Sequence, residues 1–290
     1  MSYILIKGAF RVVGYQPDGD SVRFAPADVA LVNQLPNRKI TLQPGKAVQL
    51  RLECIDALET HYTSGSARFS NQPMKPAMAA REKLLALLGF DGVEWDEDEK
   101  NVVGVEQDDR PGYILTNTFD SYGARPVAYA FAGDAAEADG KNIFLYPDRL
   151  RESANYKMVE AGFAYPMYYQ GAFWDLRAEF DRAVETAQAA AGGDPDNIWA
   201  SDATMTGFAD PPDDLTTDLA LWPKLFRRLS SFYKDNPTGA LAEFPEWLAA
   251  HRDECIDLDH GTWTALHNYV EWKGGRIKMK KSFLRLLFKG

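Results

Sequence analysis

Short runs of β-branched and apolar residues, each closed by Gly, Pro or Asn, fill the first half of the chain. A chain punctuated this way pairs as short, twisted strands. Strands are expected over 4–14, over 20–25 after the turn at Asp18-Gly19, over 46–55, near 102–106 and 112–117, and over 126–132. One helix interrupts them from Pro76 through Leu88, with Met78, Leu84, Leu85 and Leu88 on one stripe and Gly89 as the stop. Two more helices are expected at 152–161 and 171–190, the second through Phe173, Leu176, Phe180 and Val184.

From about residue 205 the composition changes, and Asp210-Pro211-Pro212-Asp213-Asp214 reads as a linker. With 290 residues, 46% of them hydrophobic, the chain can build two cores, so a domain over 1–204 and a smaller all-helical accessory domain over 205–290 are expected. In the second, Pro223 opens a helix with Leu225, Phe226, Leu229, Phe232 and Tyr233 on one face, Pro245 opens another, and a third covers 261–272. No window approaches the roughly 18 apolar residues of a membrane span. The opening Met1-Ser2-Tyr3-Ile4-Leu5-Ile6 reads as a strand and not an export signal, and two cysteines, Cys54 and Cys255, fit a reducing compartment, so the cytoplasm is expected.

The net charge of −10 argues against a protein that coats nucleic acid, though not against a nuclease. Positive charge is local: residues 271–290 hold seven Lys or Arg against Glu271. That tail has three readings: packing as a last helix or strand, contacting nucleic acid, or meeting a membrane or protein partner. The acid-rich stretch 91–109 reads as a solvated hairpin tip, because adjacent carboxylates cannot all face one ion. His251, Cys255, His260 and His267 match no common zinc spacing, so ordinary packing is expected for them.

Phosphodiester cleavage needs a hard cation, a base for water, and positive groups to take up charge on the phosphate. Asp20 follows the Asp18-Gly19 turn, Asp56 and Glu59 stand at the end of the strand that contains Arg51, and Arg125 precedes the strand at 126–132. Carboxylates with a carbonyl and waters suit Ca²⁺ or Mg²⁺ and not zinc. Arg51 and Asp56 are five apart and would face opposite sides of an ideal strand, so the strand must bend or end between them.

The series Asp18-Gly19-Asp20-Ser21-Val22, Arg51…Ile55-Asp56-Ala57-Leu58-Glu59-Thr60, Asp120-Ser121-Tyr122-Gly123-Ala124-Arg125, Asn155…Ala161-Gly162-Phe163-Ala164, and Asn197-Ile198-Trp199 resembles the thermonuclease (staphylococcal nuclease-like) family over about residues 8–202. The resemblance implies an α+β fold with an OB-type five-stranded β-barrel and helices, and Ca²⁺-dependent endo- or exonuclease action on DNA or RNA, with Mg²⁺ or Mn²⁺ as substitutes. It implies Asp20, Asp56 and the carbonyl of Ala57 as metal ligands, Glu59 acting on water, Arg51 and Arg125 on the scissile phosphate, and Tyr168 on substrate. Ala57 stands where the family usually has Thr. Ala124 is an extra residue that shifts Arg125 by up to about 3.5 Å along the chain. The regions 26–45 and 61–75 are longer than a minimal barrel needs. Two alternatives accompany the nuclease: a non-catalytic OB-fold module binding nucleic acid or protein, and a nuclease subunit whose protein partner docks on 205–290.

Overall fold

The structure, a computed structural model, describes residues 2–210 and 212–289. Met1, Pro211 and Gly290, from the expected first strand, linker and tail, lie outside the described residues. Strand β1 (Ser2–Arg11) pairs antiparallel with β2 (Arg23–Pro26), Phe10 opposite Phe24. Helix α1 (Val29–Asn33) leads to β3 (Val48–Gln49) and β4 (Arg51–Leu52), then a turn and β5 (Ile55–Asp56). Helix α2 (Met74–Leu87) starts before the expected Pro76, behind Pro73 as its N-cap, and is capped at Leu88, with Gly89 as the stop. The hairpin β6 (Glu94–Trp95) and β7 (Val102–Gly104) carries the acidic tip, and β8 (Arg110–Phe119), β9 (Pro126–Ala132) and β10 (Asn142–Phe144) complete the first half.

The sheet runs β3-β2-β1-β8-β9-β4, with β10 added against β1. Its two ends belong to one run of chain. Between β3 and β4, Leu50 N donates to Val22 O (2.9 Å) and Leu52 N to Asp20 O (3.0 Å), while β4 lies parallel to β9. The sheet thereby curls into a nearly closed barrel filled by Leu5, Phe10, Phe24, Leu50, Leu52 and Ile114. Beyond it come α3 (Pro147–Leu150), α4 (Ala154–Glu160), β11 (Tyr165–Pro166), which pairs with β5, and α5 (Trp174–Ala190).

The C-terminal part is not all-helical. After β12 (Phe208–Ala209), helices α6 (Pro223–Asp235) and α7 (Phe244–Ala250) form where Pro223 and Pro245 place them. Then come β13 (Glu254–Asp257), β14 (Thr262–Ala265), β15 (Val270–Lys273), β16 (Arg276–Met279) and β17 (Leu286–Phe288), in two three-stranded sheets. The expected helix over 261–272 is replaced by β14, a single 3₁₀ turn (Leu266–Tyr269) and β15. Local chemistry explains the correction. Thr262-Trp263-Thr264 and Val270-Glu271-Trp272 are β-branched and aromatic, and Gly274-Gly275, at φ +61° and +75°, makes the two-residue loop that a hairpin favours, with Lys273 opposite Arg276.

The basic tail packs. Phe283, Leu286 and Phe288 are buried, β17 pairs with β13, and Phe288 exchanges backbone bonds with Tyr168 O and Gln170 N (both 2.8 Å). Lys278, Lys281, Arg285 and Lys289 each face a carboxylate. Phe283 stacks between Trp199 (centroids 6.2 Å apart) and Trp222 (5.1 Å), so the second core crosses residue 205, drawing in Leu58, Phe69, Tyr165 and Ile198 from the first part. Among the described residues no helix is long and apolar enough to cross a membrane.

A core shared in this way unfolds as one. Phe283→Ala is expected to cost about 3–5 kcal/mol, read from urea denaturation followed by tryptophan fluorescence and by circular dichroism. The two probes should give coincident single transitions in the wild type; two separated transitions would show that the cores are independent.

Candidate functional site

The turn at Asp18-Gly19-Asp20 closes by reciprocal backbone bonds between Asp18 and Ser21 (3.1 and 3.4 Å), and Asp18 Oδ1 accepts from Gly19 N (2.9 Å). Gly19 is required for close approach: a Cβ there would lie 2.6 Å from Ala57 Cβ and 3.0 Å from Ala80 Cβ. The turn is thus pressed between α2 and the segment after β5, which brings Asp20 beside Asp56. Ala57, small and buried, is part of what permits that approach.

Between Arg51 and Asp56 the strand breaks, as their spacing demands. Glu53 and Cys54 form a turn in which Cys54 adopts φ +64°, and the chain resumes as β5. Buried Asn155 on α4 pins the break: its Nδ2 donates to Glu53 O (2.9 Å) and Ala128 O (3.0 Å), and its Oδ1 accepts from Ala130 N (2.9 Å). The bend lets Arg51 and Asp56 turn to different neighbours.

Asp56 has no exposed surface, and both its oxygens are bound by Arg227 of α6, Nη1 to Oδ1 at 3.1 Å and Nη2 to Oδ2 at 2.6 Å. The same Nη1 donates to Glu59 Oε1 (2.5 Å). Gln72, fully buried, joins these elements: its Oε1 accepts from Glu59 N (3.2 Å) and its Nε2 donates to Leu221 O (2.6 Å), just before α6. Ser230 on α6 donates to Phe69 O (2.6 Å) and accepts from Ser66 N (2.9 Å). The long loop 61–75 therefore serves as the dock for α6.

Asp20 differs from Asp56 in that its side-chain carboxyl has no hydrogen-bond or ion-pair partner among the described residues. Burial and then repulsion from Asp56 raise its pKa, while Arg51, Arg227 and Arg125 act in the opposite direction. Burial pushes Glu59 up to about 7 against the attraction of Arg227, and burial with Asp20 and Glu59 pushes Asp18 up to about 8. Four carboxyls and three guanidiniums thus share one electrostatic cluster.

Arg51 and Arg125 line a cleft of about 760 Å³ together with Lys39, Tyr169, Lys224 and Arg228. Arg51 lies over the Tyr169 ring at 5.3 Å. Arg125 is held by Asp120, Nε to Oδ2 at 2.9 Å, and Asp120 Oδ1 also accepts from Ala124 N (3.0 Å), so the extra residue is absorbed in the turn. Burial lowers the Lys224 ammonium to about 8 despite Asp253, which also takes both arms of Arg228. Tyr168 is turned away from the cleft: its ring is buried and its hydroxyl donates to Asp181 (2.9 Å), while Tyr169 lines the cleft.

Arg227, Lys224 and Arg228 are the site residues that sequence reasoning missed. The only signal was the basic group on α6 beside its apolar stripe, and nothing in the sequence tells which acid it meets. The His251, Cys255, His260 and His267 group does not converge: His251 stacks on Trp247 (3.8 Å), Cys255 is buried in β13, and His260 Nδ1 meets Asp257 (3.0 Å). Among the described residues no group of three or more His, Cys, Asp or Glu side chains is arranged to hold a metal ion.

The raised carboxyls set a pH dependence of stability. Glu59 at about 7 and Asp18 at about 8 lie above their ordinary values of 4.5 and 3.8, so between those limits the folded chain holds protons that the unfolded chain has released. Stability therefore falls as pH rises through that window. Asp18→Asn, which keeps an oxygen for Gly19 N, should melt higher than the wild type at pH 8 and equally at pH 4; identical melting curves at pH 8 would refute the raised Asp18 pKa.

Comparison of the chain with protein-family models and with curated proteins finds no match.

Proposed function

We propose that this chain is a metal-dependent phosphodiesterase acting on DNA or RNA. The observation that carries the reading is convergence: Arg51 and Arg125, far apart in sequence, line one cleft and both bear on Asp20, which stands unpartnered beside Asp56. Counting β3 and β4 as one bent strand, the closed path has five strands with a parallel closure onto β9, which supports an OB-type barrel.

The donor chemistry fits a hard cation. Two neighbouring carboxyls, one of them without a side-chain partner, make an arrangement that a divalent ion relieves. Asp20, Asp56 and the carbonyl of Ala57 would hold Ca²⁺, Mg²⁺ or Mn²⁺, which when bound supplies Lewis-acid polarisation of a phosphate oxygen. The chain's own groups do the rest. Arg51 and Arg125 donate N–H bonds to the phosphate as charge builds in the pentacoordinate transition state, where a planar fork suits two oxygens at once. Glu59, near neutrality in its pKa, has Oε2 left over from its bond to Arg227 and accepts the proton of the attacking water there. Lys224 and Arg228 extend the positive lining toward flanking phosphates.

One observation favours a second reading, a non-catalytic module that binds nucleic acid or protein: Arg227 already occupies both Asp56 and Glu59. Single-stranded DNA and RNA incubated with the protein in Ca²⁺, Mg²⁺ or Mn²⁺, against chelator, separate the two. Metal-dependent cleavage is expected, with Glu59→Gln lowering turnover by roughly 10²–10⁴-fold at nearly unchanged affinity. Arg51→Lys should fail almost as badly as Arg51→Ala, since an ammonium lacks the bidentate fork. No cleavage with any of the three metals leaves the binding module.

The cleft also has its own pH signature. Lys224 titrates at about 8, below its ordinary 10.5, so its charge is lost as pH rises through 8. Affinity for single-stranded DNA at low salt should fall several-fold between pH 7 and pH 9, and Lys224→Arg should remove that fall. Equal pH dependence in both proteins would take Lys224 out of the interface.

A further inference from the structure

Resting on the metal-dependent reading above, we infer that Arg227 and a divalent cation are alternative partners for Asp56 and Glu59, so that α6 supplies a built-in counter-ion which the metal must displace. The geometry is specific. Each oxygen of Asp56 receives one N–H of the guanidinium, and Glu59 receives a further bond from Nη1. Arg227 thereby stands where a cation bound to Asp56 would put its charge, and two positive groups at that separation repel strongly in a buried setting.

The exchange occurs by rotation of one side chain and not by movement of the helix. Phe226 and Leu229, on either side of Arg227, are fully buried, Trp222 at the start of α6 is buried against Phe283, and Ser230 and Gln72 stitch the helix to loop 61–75. Arg227 is the long, flexible element in this frame, and its side chain retains 21% exposure. Asp20 completes the argument, because its side chain, within the field of Asp56, takes no hydrogen bond from Arg227 or from any other described residue. The guanidinium thus satisfies part of the acid set, and the remainder is what a divalent ion gains by entering. An occupant that holds the acids nine-tenths of the time weakens apparent cation affinity about tenfold.

The test is calorimetric titration of Ca²⁺ and of Mn²⁺, without substrate, into the full chain carrying Arg227, Arg227→Gln or Arg227→Lys. Arg227→Gln is expected to bind both ions about tenfold more tightly than the wild type. Arg227→Lys, which keeps the charge and loses the fork, should fall between them. Saturating Mn²⁺ should also raise the melting temperature of Arg227→Gln more than that of the wild type, because the ion replaces a lost counter-charge. If Arg227→Gln is unfolded without metal, folding driven by Mn²⁺ supports the inference; failure to fold with Mn²⁺ passes the decision to the Arg227→Lys affinity. Equal or weaker ion binding in the variants overturns the competition while leaving the metal site standing. No ion binding in any of the three proteins removes the metal reading itself, and the inference with it.

Discussion

A carboxylate with no exposed surface has to be matched by positive charge, and Asp56 is such a carboxylate. Its partner, Arg227, comes from a helix that follows more than a hundred and fifty residues later in the chain. Loss of one member of a buried pair costs more than the pair gains, so this contact ties the barrel to the C-terminal part whether or not it adds net stability. The surrounding structure is consistent with that demand: Gln72 bridges Glu59 to the start of α6, and Ser230 ties the helix to the loop after Glu59. What looks like an overlong loop for a small barrel is the surface on which the helix is seated.

The same region shows how one short segment serves two environments. A continuous strand from Arg51 to Asp56 would place them on opposite faces, with no control over where either points. The break at Cys54, in a left-handed conformation and tied by Asn155 at Glu53 O to Ala128 and Ala130 of β9, assigns Arg51 to the cleft and Asp56 to the buried counter-ion. Gly19 performs the matching task on the other side, letting its turn close onto Ala57 and Ala80 so that Asp20 comes beside Asp56. Backbone geometry, more than any one side chain, sets the distances within the acid cluster.

Some of this was legible in advance because local rules decide it. Strand β9 spans 126–132 as its apolar run indicates, α6 buries Leu225, Phe226, Leu229, Phe232 and Tyr233 as its periodicity requires, and the need for a bend between Arg51 and Asp56 follows from the two-residue repeat of a strand. No helix forms over 261–272 because the Gly274-Gly275 turn and the β-branched residues before it favour a hairpin. Tyr168 and Tyr169 show a different limit. Adjacent residues on an extended segment point opposite ways, and the choice of Tyr169 for the cleft depends on which face α5 covers through Phe180 and Asp181.

By itself the sequence determined the elements whose signals are local: most strands of the barrel, the helices opened by Pro223 and Pro245, the hairpin tip at 96–99, and the run of acids and arginines that enters the site. Tertiary structure alone decided that the basic tail becomes core around Phe283 and Phe288, and that Arg227 answers Asp56 and Glu59. The physical reason is common to both. Periodicity and turn chemistry are written in neighbouring residues, whereas the partner of a buried charge or an aromatic ring is whichever group the folded chain brings within a few ångströms, and no spacing in the sequence encodes that meeting.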